Sequence, residues 1–94
     1  MFDIQFAESG EVLLSGRFDA TQVERVREEL NKVTTDCVVD FKNLDYISSA
    51  GLGVLLGVQK RLKQTDGSLK LIGLNLHIRE IFTIAGFDQV FEIE

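Results

Sequence analysis

The 94-residue chain contains no proline, no tryptophan and only one cysteine, Cys37. A lone cysteine excludes a disulfide within the chain and any metal site that needs several cysteines. Because there is also no low-complexity run, nothing in the sequence indicates a linker between domains. We therefore expect residues 1–94 to form a single domain.

Long apolar runs are missing as well. The longest one covers residues 52–58, is interrupted by Gly53 and Gly57, and is far shorter than the roughly 20 residues that a membrane-spanning helix needs. The first residues, Met1–Asp3, lack the basic and apolar regions of a signal peptide. These features predict a cytoplasmic protein that does not insert into a membrane.

An excess of basic residues is absent too, since the formal net charge is −5. Residues 1–47 hold five Lys and Arg against ten Asp and Glu, whereas residues 48–94 hold five of each class. A nucleic-acid-binding domain is expected to present a basic face. The charge distribution therefore argues against direct binding of nucleic acid.

Two apolar segments open the chain. Residues 2–6 alternate between apolar and polar, and residues 12–15 form a second short apolar segment after the turn Glu8–Gly10. This pattern predicts an N-terminal β-hairpin, with residues 16–19 leading out of it.

A helical stripe of valine and leucine follows and predicts a first helix over Ala20–Val33. The apolar positions of this stripe are Val23, Val26, Leu30 and Val33. The start of the helix fits a capping box. The two candidate pairs are Asp19 with Gln22 and Thr21 with Glu24.

The run Cys37–Phe41 is short, apolar and rich in valine, so it predicts a central strand that is covered on both faces. Asp40 would then end this strand, and Lys42–Asp45 would form a turn before a second helix at about Ser49–Gln64. Asp19 follows the second strand, so it would lie near Asp40 only if it approached across the end of the sheet. We expect Asp40 at the polar rim of the sheet and Asp19 as a cap, rather than a catalytic pair of carboxylates.

Three glycines, Gly51, Gly53 and Gly57, lie in the apolar first half of this second helix. Glycine is a poor helix residue, so we expect these positions where two backbone segments approach each other closely. They do not fit a dinucleotide-binding fingerprint, because their spacing is wrong and the first glycine does not directly follow a strand.

The rest of the chain predicts a strand over Leu69–Gly73, a third helix that is N-capped by Asn75, and a closing strand over Val90–Ile93. Gly86 lies where a left-handed C-cap of the third helix is expected. The resulting order β-β-α-β-α-β-α-β, with three to four helices, indicates an α/β domain with a largely parallel sheet.

No complete catalytic or metal-binding set is visible. His77 is the only histidine, and neither a Ser-His-Asp set nor a His-Cys metal site can be assembled around it. Cys37 is expected to be a small buried apolar residue. We therefore predict a protein that is not an enzyme and needs neither a cofactor nor a metal.

Two serines, Ser48 and Ser49, stand where the second helix begins. A hydroxyl at this place can cap free backbone N–H groups, which is the commoner role. An exposed hydroxyl would also tolerate phosphorylation, because the N-terminus of a helix favours negative charge. Spacing alone leaves both roles open.

The stretch from Asp40 to Leu55, DFKNLDYISSAGLGVL, resembles the STAS domain, and more narrowly the bacterial anti-sigma factor antagonists. The segment Gly16–Asp19 is similar to a Gly-x-Leu-Asp motif that follows the first strands in this family. Residues 75–91 are similar to the third helix and the closing strand of the family. The resemblance thus covers essentially the whole chain.

This resemblance implies a STAS fold and a regulatory function without catalysis. A member of the family binds an anti-sigma factor that is also a serine kinase, and thereby releases a sigma factor. Phosphorylation of a serine at the start of the second helix abolishes the binding, and a PP2C-type phosphatase reverses it. The acceptor maps onto Ser49, and the alternative acceptor is Ser48, which stands where the family commonly has Asp.

The resemblance also implies a set of partner-binding residues, which are Asp19, Ser48, Ser49, Ala50, Gly51 and Leu52. The alternative function is that of a STAS subunit in a regulatory or lipid-transporting ABC complex. In that case the same helix would dock permanently, and Ser49 would have no role as a switch.

Overall fold

A computed structural model describes residues 1–94 and shows a five-stranded sheet whose strands lie in chain order. The strands are β1 (Asp3–Phe6), β2 (Val12–Phe18), β3 (Cys37–Ile47), β4 (Leu69–Ile72) and β5 (Glu92–Ile93). The helices are α1 (Val23–Leu30), α2 (Ser49–Lys63) and α3 (Leu76–Ile84), with 3₁₀ turns at Ala20–Gln22 and Phe87–Gln89. Strands β1 and β2 pair antiparallel and all other neighbours pair parallel, which confirms the predicted fold class and element order.

All three helices cover the same face of the sheet. Each crossover from β2 to β5 moves one strand in the same direction, and right-handed crossovers then place every helix on one side. Accordingly, Val39 and Leu71 on the central strands are buried, whereas their neighbours Val38 and Ile72 are only half-buried. The expectation that the central strand is covered on both faces is therefore wrong, and the second face is open.

Strand β3 is longer than predicted, and the predicted turn at Lys42–Asp45 is wrong. The pairing register between β2 and β3 shifts twice, because β3 carries one extra residue at each of two bulges. As a result the buried residues recur every third position, at Phe41, Leu44 and Ile47. This spacing matches neither the period of a strand nor that of a helix, so the sequence pattern did not predict the second half of β3.

The extension also moves Asp40 away from its predicted place at the end of β3. Asp40 lies between Leu13 of β2 and Ile72 of β4, and its side chain is buried. One carboxylate oxygen accepts a hydrogen bond of 2.9 Å from the backbone N–H of Lys42. Asp40 therefore supports the first bulge and is no part of the rim near the second helix.

Strand β2 also runs further than predicted, through residues 16–18, and ends on the fully buried Phe18. Gly16 has a positive φ of 83°, and a Cβ there would lie 2.0 Å from the carbonyl oxygen of Met1. Glycine is required at this point because the N-terminal backbone crosses directly over it.

Helix α2 is packed along its inner side, and one of its buried residues is the polar Gln59. Its amide oxygen accepts 2.7 Å from the N–H of Leu69, and its amide nitrogen donates 2.8 Å to the carbonyl of Val90. Gln59 thus fastens the helix to β4 and to the segment before β5. Because both of its polar ends are satisfied, its burial does not leave an unpaired group.

The last third of the chain follows the prediction in part. The Asn75 side chain accepts a hydrogen bond of 2.8 Å from the N–H of Ile78, and Gly86 is left-handed with φ 77°, so both caps of α3 are confirmed. The closing strand is shorter than predicted, because the N–H groups of Val90 and Phe91 donate to the carbonyl of Phe87 and only Glu92–Ile93 pair with β4.

The expectation that the α2 glycines lie where two backbone segments meet is wrong, because only Gly51 is closely packed and its nearest neighbours are side chains. A Cβ on Gly51 would lie 2.9 Å from a side-chain carbon of Ile47 and 3.2 Å from the ring of Phe18. Gly53 and Gly57 are exposed, with no atom within 4 Å of such a Cβ. Only Gly51 therefore lets α2 approach the sheet.

We predict that Gly51→Ala lowers the free energy of unfolding by about 1–3 kcal/mol, because the added methyl group overpacks the junction with Ile47 and Phe18. The matched variant Gly53→Ala should instead raise it by about 0.5–1 kcal/mol, since Ala is the better helix residue and has room. Urea unfolding of both variants checks this, and equal destabilisation by the two would contradict the assignment.

Candidate functional site

The predicted site lies where the carboxyl ends of β2 and β3 meet. Phe18 and Ile47 are the last paired residues of the two strands, and the N–H of Ser48 donates a hydrogen bond of 2.9 Å to the carbonyl of Phe18. The residues that follow, Asp19 and Ser48, are therefore held at the same edge of the sheet. The structure thus brings two distant predicted site residues together.

Ser48 and Ser49 have different roles in the start of α2. Ser48 is the N-cap, and its hydroxyl accepts a hydrogen bond of 3.1 Å from the N–H of Gly51. Ser49 is the first helical residue and is exposed. The capping role therefore belongs to Ser48, and the hydroxyl of Ser49 is not needed for the cap.

The other predicted partner-binding residues divide between the surface and the core. Ala50 is exposed beside Ser49, and Asp19 is half-buried. Gly51 and Leu52 are buried, and Leu52 is only 7 % exposed. Gly51 and Leu52 therefore fix α2 on the sheet, and their part in partner binding stays a prediction.

Asp19 forms the first of the two predicted capping boxes. Its carboxylate accepts hydrogen bonds from the N–H of Thr21 at 2.9 Å and from the Thr21 hydroxyl at 2.6 Å. In return, the N–H of Asp19 donates 2.7 Å to the side-chain oxygen of Gln22. The hydroxyl bond, then the backbone bond, lowers the pKa of Asp19, and the charge of Arg17 lowers it slightly further.

Sequence reasoning missed a second feature of this edge. Arg17 lies beside Tyr46 in the strand register, and its guanidinium carbon is 4.1 Å from the centre of the Tyr46 ring. The pair precedes Asp19 and Ser48 by two residues on each strand. The two bulges in β3 set this register, so no spacing in the sequence indicated it.

Away from this edge, the remaining candidate residues behave as isolated side chains. Cys37 is buried as predicted, and burial raises the pKa of its thiol. It borders a cleft of about 610 Å³ at the opposite end of the sheet from Ser49. His77 is exposed on α3. No three His, Cys, Asp or Glu side chains converge on a point where a metal ion would fit.

Every helix in the chain is too short or too polar to cross a lipid bilayer.

Comparison with known proteins matches residues 3–93 to the family described as the Mlab, STAS domain. BtrV of Bordetella bronchiseptica, which carries the name of an anti-sigma factor antagonist, is 42% identical over 84 residues. That similarity covers 85% of this chain and 72% of BtrV. The anti-sigma-B factor antagonist of Staphylococcus aureus is 31% identical over 87 residues, covering 88% of this chain and 81% of that protein.

Among solved structures, the Bacillus cell-fate determinant SpoIIAA in its phosphorylated form superposes with a TM-score of 0.71. The similarity covers 100% of this chain and 91% of that one at 22% sequence identity. At this level of identity the likeness shows a shared fold.

We predict that Ser48→Ala lowers the free energy of unfolding by about 1 kcal/mol, because the Gly51 N–H loses its capping oxygen. The neighbouring variant Ser49→Ala should change it by less than about 0.5 kcal/mol, as expected for an exposed position without such a bond. Urea unfolding of the two single variants separates the roles. A larger loss of unfolding free energy in Ser49→Ala than in Ser48→Ala would show that the two roles are wrongly assigned.

A second prediction concerns the ionisation of Asp19. Replacing Thr21 by Val removes the hydroxyl that contributes most to lowering the Asp19 pKa, so this pKa should rise towards its ordinary value. A ¹³C NMR titration of the Asp19 carboxyl measures the change, and an unaltered titration would contradict it.

The sign of the accompanying stability effect follows from the same hydrogen bonds. The pKa of Asp19 is lower in the folded protein than in the unfolded chain. The ionised carboxylate therefore stabilises the fold at a pH above the unfolded-state pKa, and this stabilisation is lost as the pH falls through the folded-state pKa. The difference in unfolding free energy between the wild type and Thr21→Val should therefore narrow in acid.

Proposed function

The chain belongs to the STAS-domain family of anti-sigma factor antagonists, and on this basis we propose that it is a phosphorylation-controlled binding protein. In the unphosphorylated state it binds an anti-sigma factor that is also a serine kinase, and so releases a sigma factor in the cytoplasm. Phosphorylation of Ser49 abolishes this binding, and a PP2C-type phosphatase restores it. The protein itself acts by binding and not by catalysis.

The division of labour between Ser48 and Ser49 is the observation that carries this proposal. Because Ser48 supplies the capping oxygen, Ser49 can be modified without loss of that hydrogen bond. Because Ser49 is exposed at the end of the sheet, both a kinase and a phosphatase can reach its hydroxyl. SpoIIAA, which shares the fold, is known in a phosphorylated form.

The folded domain tolerates a phosphate at this position. A phosphoserine adds about −1.5 to −2 charges near pH 7. At the first residue of α2 these charges meet the positive end of the helix dipole, which compensates by roughly 0.3–1 kcal/mol. No buried group has to move, because Ser49 and Ala50 already face solvent.

An interface over the same position does not tolerate it. Docking would remove water from the phosphate, and a desolvated charge without a partner is costly. The carboxylate of Asp19 at the same edge, whose pKa is lowered, adds to the negative potential there. A net penalty of about 3 kcal/mol would weaken binding more than a hundredfold. One modification thus leaves the fold intact and blocks the partner.

Affinity capture tests this function directly. We predict that immobilised wild-type protein retains an anti-sigma factor with a serine-kinase domain from a lysate of the source bacterium, and that Ser49→Asp retains much less of it. Ser49→Ala serves as the matched control, because it removes the hydroxyl without adding charge and should still bind.

Phosphate transfer from the captured kinase and ATP should then add one phosphate to the wild type and to Ser48→Ala, and none to Ser49→Ala. Phosphate transfer that persists in Ser49→Ala and disappears in Ser48→Ala would identify Ser48 as the acceptor. Equal capture of a membrane-transport ATPase by the wild type and Ser49→Asp would instead favour a permanent STAS subunit of a lipid transporter.

A further inference from the structure

Arg17 differs from the other arginines of the chain in having no oxygen partner. Of the five arginines, four bind oxygen atoms within the domain. Arg25 pairs with Asp3, Arg27 with Glu24, Arg61 with the carbonyls of Leu30 and Val33, and Arg79 with the carbonyl of Glu94. The guanidinium of Arg17 makes no hydrogen bond or ion pair, and its side chain is exposed.

The side chain of Arg17 is nevertheless held in place. Its guanidinium carbon lies 4.1 Å from the centre of the half-buried Tyr46 ring, which is a cation–π stack. The guanidinium N–H groups bind no oxygen atom within the domain, so they are free to bind a partner. A fixed guanidinium with free N–H groups is suited to a carboxylate, which it can bind with two parallel hydrogen bonds.

Arg17 and Tyr46 lie near the strand ends that precede Asp19 and Ser48, but they face the side of the sheet that the helices do not cover. Arg17 and Tyr46 are paired residues, and the next pair is Phe18 with Ile47, whose side chains contact Gly51 at the start of α2. Neighbouring residues of a strand point to opposite faces. Arg17 and Tyr46 therefore face the open side, two residues before Asp19 and Ser48 at the strand ends.

The acidic residues near Arg17, which are Asp19 and Asp45, form no ion pair with it. The carboxylate of Asp19 takes two hydrogen bonds from Thr21, and Asp45 is exposed beside Tyr46. Arg17 is thus the one preorganised cation at an edge that is otherwise acidic. An approaching partner group is attracted only if it is negative and reaches this point, which gives the contact directional specificity.

We propose that the stacked pair Arg17–Tyr46 is a receptor for an aspartate or glutamate side chain of the anti-sigma factor. The pair then forms the second half of a docking surface that begins at Ser49. This inference rests on the proposed function and adds to it the chemistry of the partner's contact. Arginine and tyrosine are both enriched among the residues that dominate binding energy at interfaces.

Calorimetric titration of the captured anti-sigma factor into unphosphorylated full-length protein tests the receptor. Arg17→Gln keeps a polar side chain of similar width without charge and should raise Kd about tenfold, and Arg17→Glu should raise it further. Tyr46→Phe keeps the stack and should leave Kd within about twofold, because only the ring is needed. Lys63→Gln removes an exposed charge at the far end of α2 and should have no effect.

Salt dependence gives a second readout, since loss of an ion pair should make Kd of Arg17→Gln less sensitive to added NaCl than Kd of the wild type. Thermal unfolding by circular dichroism verifies that each variant is folded. If Arg17→Gln binds with wild-type affinity while Ser49→Asp does not bind, the proposed carboxylate receptor is wrong and control of binding at Ser49 is supported. Failure of the wild type to bind any anti-sigma factor would overturn both.

Discussion

The hydrogen bond from the Gly51 N–H to the Ser48 hydroxyl is the contact on which the rest of the site depends. Because this bond starts α2, the exposed serine that follows is not needed for capping. A phosphate on a capping hydroxyl would change the bond that starts the helix, whereas a phosphate on Ser49 would leave the bond between Ser48 and Gly51 in place. If Ser49 is phosphorylated, as we propose, the separation of the two hydroxyls lets recognition change while the helix cap is kept.

The sheet supplies the second requirement, which is a rigid base for this helix start. Strands β2 and β3 end side by side because consecutive right-handed crossovers put sequential strands next to each other. The bond from the Ser48 N–H to the Phe18 carbonyl then joins the two strand ends, and the missing side chain of Gly51 lets α2 approach them. Residues 19 and 48 are thereby held together, although 29 positions separate them in the chain.

Local patterns predicted the elements of this fold well where hydrophobic spacing was regular. The hairpin, the start of α2 and both caps of α3 were correct because each depends on neighbours within a few residues. The predicted β3 was too short, because two bulges give Phe41, Leu44 and Ile47 a spacing that fits no regular element. The same error placed Asp40 at the rim and hid the pairing of Arg17 with Tyr46, since both depend on a register that only tertiary structure sets.

The site itself was predicted from the family resemblance more than from physical pattern. The spacing of Ser48 and Ser49 did not decide which hydroxyl caps the helix; the positions of the two side chains do. The proposed switch is tested most sharply on protein that carries phosphoserine at position 49, with affinity for the anti-sigma factor and thermal unfolding recorded on the same sample. We expect an unchanged or slightly higher Tm and an affinity at least about a hundredfold weaker. Undiminished affinity, or weaker binding only together with a fall in Tm, would contradict the proposed switch.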